Sequence, residues 1–251
     1  MIPKPILSNV LSTVCDHFKL SFAVEQTGST TPTISQEKIN NFPIIYLHPA
    51  EQRAIADYLD WKTAQIDQLV ARKEQLLTLL QQKRQAIINE AVTRGLNADC
   101  PKKDSGIDWL GEIPAHWQVK KLKYVANLKS GDTITSETIE EEGEYPVYGG
   151  GGFRGYTSAY THEGQYALIG RQGALCGNIN YADGRFWASE HALVVSHLDE
   201  YETIWLGELL RTMNLNQYSQ SSAQPGISAE RIQNLHIPVP PFPEQQAIVQ
   251  F

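Results

Sequence analysis

From Glu51 to Arg94 the chain runs 44 residues without a glycine or a proline. Pro49 stands just before this run and Gly95 just after it, the punctuation of a helix start and stop. Ala, Leu, Gln, Lys, Arg and Glu dominate the composition, and all of them favour the helical state. The apolar residues Ile55, Leu59, Ile66, Leu69, Leu76, Leu80, Ile87 and Ala91 recur in steps of 3, 4 and 7, which places them on one stripe. Lys62, Lys73 and Lys83 or Arg84 interrupt the stripe, but their aliphatic stems can lie along a seam while the charges reach water. At 1.5 Å per residue the segment predicts a rod of roughly 65 Å. A single stripe on so long a rod predicts pairing with another helix through Ile55, Leu59, Ile66, Leu69, Leu76, Leu80 and Ile87.

The rod is framed by an internal repeat. Ser29–Tyr58 aligns without a gap to Ser222–Phe251 at an offset of 193 residues, with 12 of 30 positions identical. The matches include Pro32/Pro225, Ile34/Ile227, Ser35/Ser228, Ile44/Ile237, Glu51/Glu244, Gln52/Gln245, Ala54/Ala247 and Ile55/Ile248. A shared turn, strand and helix start would not place the same residue types at so many fixed positions, so a duplication is the better account. The first copy has 28 residues before it, the second about 120 residues of domain. This predicts four parts: the tail of a first domain (1–50), a connector helix (51–95), a complete second domain (96–242) and the start of a second connector (243–251).

In the second domain, residues 104–128 read as a turn and a strand, with Trp109, Leu110, Ile113 and Trp117 as expected core anchors. Residues 145–195 hold short β-prone stretches parted by glycines. Ile204–Met213 reads as an amphipathic helix, and Ile227–Val239 as a turn and strand. Helix and strand mix without βαβ alternation, which predicts an α+β domain attached to the long helix.

Chemistry-bearing motifs are scarce. The sequence contains no GxxxxGK[ST], no GxSxG and no HExxH. Gly149–Gly152 lacks the downstream lysine of a phosphate cradle. Val239-Pro240-Pro241-Phe242 looks like an amino-methyltransferase loop, but Val239 stands where that chemistry needs a polar residue. Ser189-Glu190-His191 sets an acid beside a base, yet strand neighbours point to opposite faces. Cys15, Cys100 and Cys176 are scattered without CxxC spacing, as expected of thiols in a reducing compartment. The expectation is therefore a non-enzyme with no cofactor and no metal. Met1-Ile2-Pro3-Lys4 opens no signal-peptide core, and no apolar run approaches the roughly 20 residues of a membrane helix, which predicts a cytoplasmic protein with no membrane partner.

What remains is a binding surface. Arg reads guanine, and Gln or Asn reads adenine, in the major groove of DNA. Arg154, Arg171, Gln172 and Asn178 sit in glycine-rich loops, and Gln217, Gln220 and Gln224 in the polar stretch QYSQSSAQ, which makes them candidate base readers. Lys120, Lys121 and Lys123 are candidate phosphate contacts. Against this stands the charge: the net value is −7, and residues 105–242 hold nine basic against sixteen acidic side chains. A basic footprint of the usual nucleic-acid-binding kind is absent. A helical adaptor carrying a β-rich peptide-binding module fits the same composition.

A family resemblance bears on that choice. Asp108-Trp109-Leu110-Gly111-Glu112-Ile113-Pro114-Ala115-His116-Trp117 looks like the opening of a target recognition domain. The glycine-rich stretches Tyr145–Tyr156 and Leu168–Asn180 look like its middle. Ile227-Ser228, Ile237-Pro238-Val239-Pro240-Pro241 and Glu244-Gln245-Gln246-Ala247-Ile248 look like its exit into a helix. Together they resemble the specificity (S) subunit of type I restriction–modification systems. The resemblance implies double-stranded DNA as ligand and two target recognition domains, each reading half of a bipartite site. It further implies long helices that dock methyltransferase subunits, and through them a restriction subunit, while the S subunit itself is not catalytic. Only the last 50 residues of a first recognition domain are expected here. A connector without its distal partner helix then predicts a homodimer through the long helix.

Overall fold

The computed structural model describes residues 47–219 and 226–251. Cys15, most of the first repeat copy and of the expected first-domain remnant, and the candidate readers Gln220 and Gln224 lie outside these residues. The chain divides into two units, residues 1–80 and 81–251.

The glycine- and proline-free run is one uninterrupted helix, α1 (Pro49–Arg94). Proline at the first helical position loses only an N–H that has no partner there anyway. The His48 carbonyl accepts from Glu51 N at 2.9 Å and Gln52 N at 3.1 Å, and its Nδ1 accepts from Ala50 N at 3.3 Å. The helix stops at Gly95, whose φ of +77° suits glycine and whose N–H returns to Ala91 O at 3.0 Å. In the first unit, Ile55, Ile66, Leu69, Leu76 and Leu80 are exposed and Leu59 is half-buried; in the second, Ile87 is exposed. The helix does not end where its stripe ends. Ala91 and Val92 are buried in the large core of the second unit, and Asn89 Oδ1 accepts from Thr212 Oγ1 at 2.9 Å. The last turns of α1 thus pack with the second unit, on the other side of the boundary expected at residue 96.

The second unit has three layers. Its central sheet is antiparallel, with the order β4 (Ala126–Ser130), β11 (Ala192–His197), β8 (Tyr166–Gly170), β9 (Ile179–Ala182). In β8 and β11 consecutive residues are buried, because both faces are covered. Ala167, Ile169, Leu193 and Val195 join the large core with Trp205, Leu206, Leu209 and Leu210 of helix α2 (Thr203–Thr212). Leu168, Ala182 and Val194 form a second core with Phe186 and Ala188, against which Tyr148 packs. Phe186 and Ala188 lie on β10 (Arg185–Ala188), in a sheet ordered β6 (Gly152–Thr157), β5 (Tyr145–Gly149), β10, β7 (His162–Glu163).

The domain is closed by its own ends. Strand β12 (His236–Val239) pairs antiparallel with β3 (Gln118–Lys121), and a small ribbon joins β1 (Lys102–Asp104) to β2 (Glu112–Pro114). Between residues 227 and 239 the expected turn is a short helix, α3 (Ala229–Gln233), because Ser228 Oγ caps it by accepting from Arg231 N at 3.2 Å. Of the expected anchors, Leu110, Ile113 and Trp117 are buried, but Trp109 is exposed. Helix α4 (Phe242–Gln250) leaves the domain with Gln245 and Ile248 buried. No helix among the described residues is long and apolar enough to cross a membrane, and no cluster of His, Cys, Asp and Glu among them could hold a metal ion.

Candidate nucleic-acid interface

The glycine-rich stretches converge at one end of the two sheets. The turn between β5 and β6 (149–152), the loop between β8 and β9 (171–178), the turn between β10 and β11 (189–191) and residues 226–227 are tied together by backbone hydrogen bonds. Ser189 N donates to Tyr148 O at 2.8 Å, Arg171 N to His191 O at 2.9 Å and Ile227 N to Arg171 O at 2.9 Å; Gln172 bridges to Gly226. The 171–178 loop is also braced internally: Gly177 N to Gly170 O at 2.7 Å, Cys176 N to Gly173 O at 3.0 Å and Asn178 N to Leu175 O at 3.1 Å. A Cβ on Gly170 would run into the carbonyl oxygens of Gly150 and Leu175. Glycine therefore serves here as the residue that lets three loops touch backbone to backbone, not as a source of mobility.

This platform brings together four of the candidate readers. Arg154 lies where the register of β5 and β6 shifts, and its exposed side chain starts out across Gly149: its Cδ lies 2.6 Å from the place a Gly149 Cβ would take. Such bulges re-aim a side chain. Gln172 and Asn178 are exposed on the braced loop. Arg171 is half-buried, and its Nη1 donates to Ser130 Oγ at 3.1 Å, which in turn donates to Glu190 O at 2.9 Å. It braces the platform with one end of its guanidinium and leaves other donors to serve a ligand. Gln217 is exposed but used elsewhere: its Nε2 donates to Met213 O at 2.7 Å, at the C-terminal end of α2.

The lysines stand apart from these loops. Lys120 and Lys121 are on the β3–β12 ribbon, opposite Ile237 and His236, and the Lys123 ammonium lies 5.2 Å from the centre of the Tyr124 ring. Lys120 lines an open pocket with Asp199 and Glu200, so two acids share its surroundings. Sequence reasoning missed two platform residues, Phe153 and Leu175. Both are large, apolar and exposed, and a Phe inside GGGGFRG was the available signal.

The arrangement supplies no nucleophile with a base. Ser189 is fully buried, and its Oγ accepts from His191 N at 3.3 Å to close a turn. His191 Nε2 lies 3.5 Å from Glu190 Oε1 at the surface. Burial pushes the Cys176 thiol pKa up, away from the reactive thiolate. Val239-Pro240-Pro241-Phe242 is the passage from β12 to α4, and its Pro240 carbonyl accepts from buried Gln245 Nε2 at 3.0 Å.

Comparison with known proteins agrees with this geometry. Residues 114–251 match the family described as type I restriction modification DNA specificity domain. The chain is 42% identical over 130 residues to the type I restriction enzyme EcoprrI specificity subunit of Escherichia coli, covering 50% of this chain and 32% of that protein. It is 23% identical over 258 residues to the EcoDI specificity subunit of Escherichia coli, covering 89% of this chain and 57% of that protein. The chain thus spans between a third and somewhat over half of the length of these relatives. Its fold matches the type I restriction–modification S subunit from M. genitalium, with a TM-score of 0.56, 18% identity and coverage of 90% of this chain and 59% of that one. It also matches the HsdS subunit from Thermoanaerobacter tengcongensis, with a TM-score of 0.53, 20% identity and coverage of 90% and 56%. The expectation of a peptide-binding adaptor is not favoured by these matches. Because the family match takes in more than half of its residues and every loop of the platform, the chain belongs to the type I restriction modification DNA specificity domain family.

Proposed function

We propose that this chain is the sequence-reading, non-catalytic part of a type I restriction–modification complex in the cytoplasm. Its platform reads one half of a bipartite site in double-stranded DNA, and its long helix docks the methyltransferase subunits and, through them, the restriction subunit. The observation that carries the reading is the platform itself: four loops of a family DNA specificity domain, locked by backbone bonds, presenting Arg154, Arg171, Gln172 and Asn178. Phosphate and base contacts are separable tasks. With nine basic against sixteen acidic residues over 105–242, the domain alone grips DNA weakly, and the methyltransferase supplies the grip. Lys120, Lys121 and Lys123 contribute what phosphate contact the chain makes. The chain needs no cofactor of its own.

The domain division proposed from the repeat, 1–50, 51–95, 96–242 and 243–251, is kept with one amendment: the last turns of α1 belong to the recognition domain. In the α1 stripe, Ile66, Leu69, Leu76, Leu80 and Ile87 fall on a and d positions of a heptad. Exposed Val70 and Leu77 widen it on one side and exposed Leu79 on the other. A face this broad exceeds what one partner helix covers. It supports a bundle in which the α1 helices of two chains pair antiparallel and still leave apolar surface for methyltransferase helices.

The test is to combine the chain with its candidate methyltransferase and map the DNA it methylates. The expected result is methylation confined to a bipartite site, with Arg154→Ala or Arg171→Ala relaxing the preference in one half. Methylation independent of this chain would overturn the reading. Light scattering tests the pairing: a dimer that Leu80→Asp converts to a monomer supports it, and a monomeric parent chain at high concentration refutes it.

A further inference from the structure

We infer that Phe153 and Leu175 are thymine readers: their side chains touch thymine C5-methyl groups in the major groove, beside the polar contacts of Arg154 and Gln172. The inference rests on the DNA-recognition reading above and names residues and a base for it.

The chemistry points one way. Among the four bases, thymine alone presents an apolar group in the major groove. Phe153 and Leu175 are 55% and 52% exposed, although each is large enough to belong in a core. Both flank the same glycine turn. Phe153 follows Gly152 directly, and Leu175 Cδ1 lies 2.8 Å from where a Cβ of Gly151 would stand. They sit among groups able to read base edges, since Arg154 is next to Phe153, and Gln172 precedes Leu175 by three residues in one loop. A T·A pair shows a methyl group on one base and the N6–H and N7 of adenine on the other. One loop that offers a leucyl methyl and a carboxamide matches that pair.

The Phe153 ring and the backbone that carries Leu175 are held in place before any ligand arrives. The Phe153 ring packs edge-on against Tyr148 at 6.2 Å and Tyr156 at 5.1 Å between centroids. Leu175 belongs to the loop braced by the Gly177, Cys176 and Asn178 hydrogen bonds, and its own carbonyl accepts one of them. Ordered apolar groups lose little conformational freedom on binding, which is what makes a single methyl contact discriminating. The register shift between Val147 and Tyr148 sets Phe153 opposite Tyr148 and leaves Arg154 outside the ladder, so adjacent residues both reach the surface.

The experiment uses the complex with its methyltransferase and a duplex that carries the mapped site. Thymines in the half-site read by this domain are replaced one at a time by deoxyuridine, which removes the methyl group and nothing else. The expected result is binding about fourfold weaker at one or two positions, the effect of losing one buried methyl-sized group. At the thymine each residue reads, Phe153→Ala or Leu175→Ala should then bind the thymine and deoxyuridine duplexes equally. The unmodified protein carries the decisive measurement, so a poorly folding variant does not blunt it. A half-site without a T·A pair, or deoxyuridine duplexes bound as tightly as the parent, overturns the inference and leaves the recognition reading intact. Weaker binding of Phe153→Ala to every sequence alike, with no deoxyuridine effect, marks an intercalating wedge and also overturns it. A complex that selects no DNA sequence overturns both.

Discussion

The two copies of the repeat enter a helix in the same way and use it differently. Helix α1 begins at Pro49 and α4 at Phe242, which are equivalent positions. Glu51 N and Gln52 N donate to His48 O at 2.9 and 3.1 Å; Glu244 N and Gln245 N donate to Pro241 O at 2.9 and 3.1 Å. The Gln52 amide reaches back to Leu47 O at 2.8 Å, and the Gln245 amide to Pro240 O at 3.0 Å. Beyond this local frame the copies part. Glu51 Oε2 accepts from His48 N at 3.3 Å and so caps its own helix. Glu244 Oε2 accepts from Trp117 Nε1 at 3.0 Å and lies 2.8 Å from His116 Nε2, which ties α4 to the start of the domain. Gln245 Oε1 also accepts from Glu202 N at 3.0 Å. Gln52 and Ile55 are exposed, while Gln245 and Ile248 are buried. Identical residues are therefore exposed in one setting and structural in the other, and the difference lies in the described residues that bond to the second copy, Trp117, His116 and Glu202.

Substitutions can break this contrast, and Trp117→Ala should do so most strongly. It empties a fully buried site and removes the donor to Glu244. Loss of a buried tryptophan costs about 3–5 kcal/mol, read as a lower urea midpoint for the domain. Ile248→Ala comes next. A buried isoleucine truncated to alanine costs about 2–5 kcal/mol, with the low end expected near a helix terminus. Ile55→Ala, its repeat equivalent, should leave that midpoint in place and act instead on dimer affinity in sedimentation. An equal loss from both would show that the first copy is also docked on a domain.

Gln245→Ala against Gln52→Ala isolates the polar part. The first empties a buried site and leaves the half-buried Glu202 N–H without its acceptor, which should cost about 1–3 kcal/mol. The second removes a solvated bond and should stay within about 0.5 kcal/mol. Denaturant titration of the pair settles it, and similar costs would sink the contrast.

The smallest effect is on pH dependence, and two histidines of the second unit should carry it. Burial lowers the pKa of His162, stacked on Phe186, and of His197 below the ordinary value of 6.5. The unfolded chain then takes up protons that the native domain refuses. Stability should be full above about pH 6.5 and decline as the pH falls through that value. His197→Gln should flatten part of the decline in melting temperature between pH 8 and pH 5.

Helix α1 was legible because its signals are local: an unbroken run of helix formers, one stripe, and Pro49 and Gly95 at its ends. The α+β character and α2 were readable from short-range pattern for the same reason. The expected turn at 227–239 concealed α3, because a single serine cap decides such a short helix. Trp109 was misjudged because an aromatic residue near a strand signals burial only if another layer covers it. The platform was half legible. Glycines announced close approach, but which loops approach depends on β5 pairing parallel with β10, and no local pattern encodes that.

The sequence alone thus determined that residues 51–94 would be helical, that both repeat copies would lead into a helix, and that the glycine-rich stretches would form loops. These outcomes depend on propensity, capping and φ freedom within a few residues. Tertiary structure alone decided that Gln245 and Ile248 are buried while Gln52 and Ile55 are not, and that Arg171 braces the loops while Arg154 stands exposed. Burial and hydrogen-bond partnership depend on which distant segment arrives alongside, and identical residues in two copies of one repeat cannot carry that information by themselves.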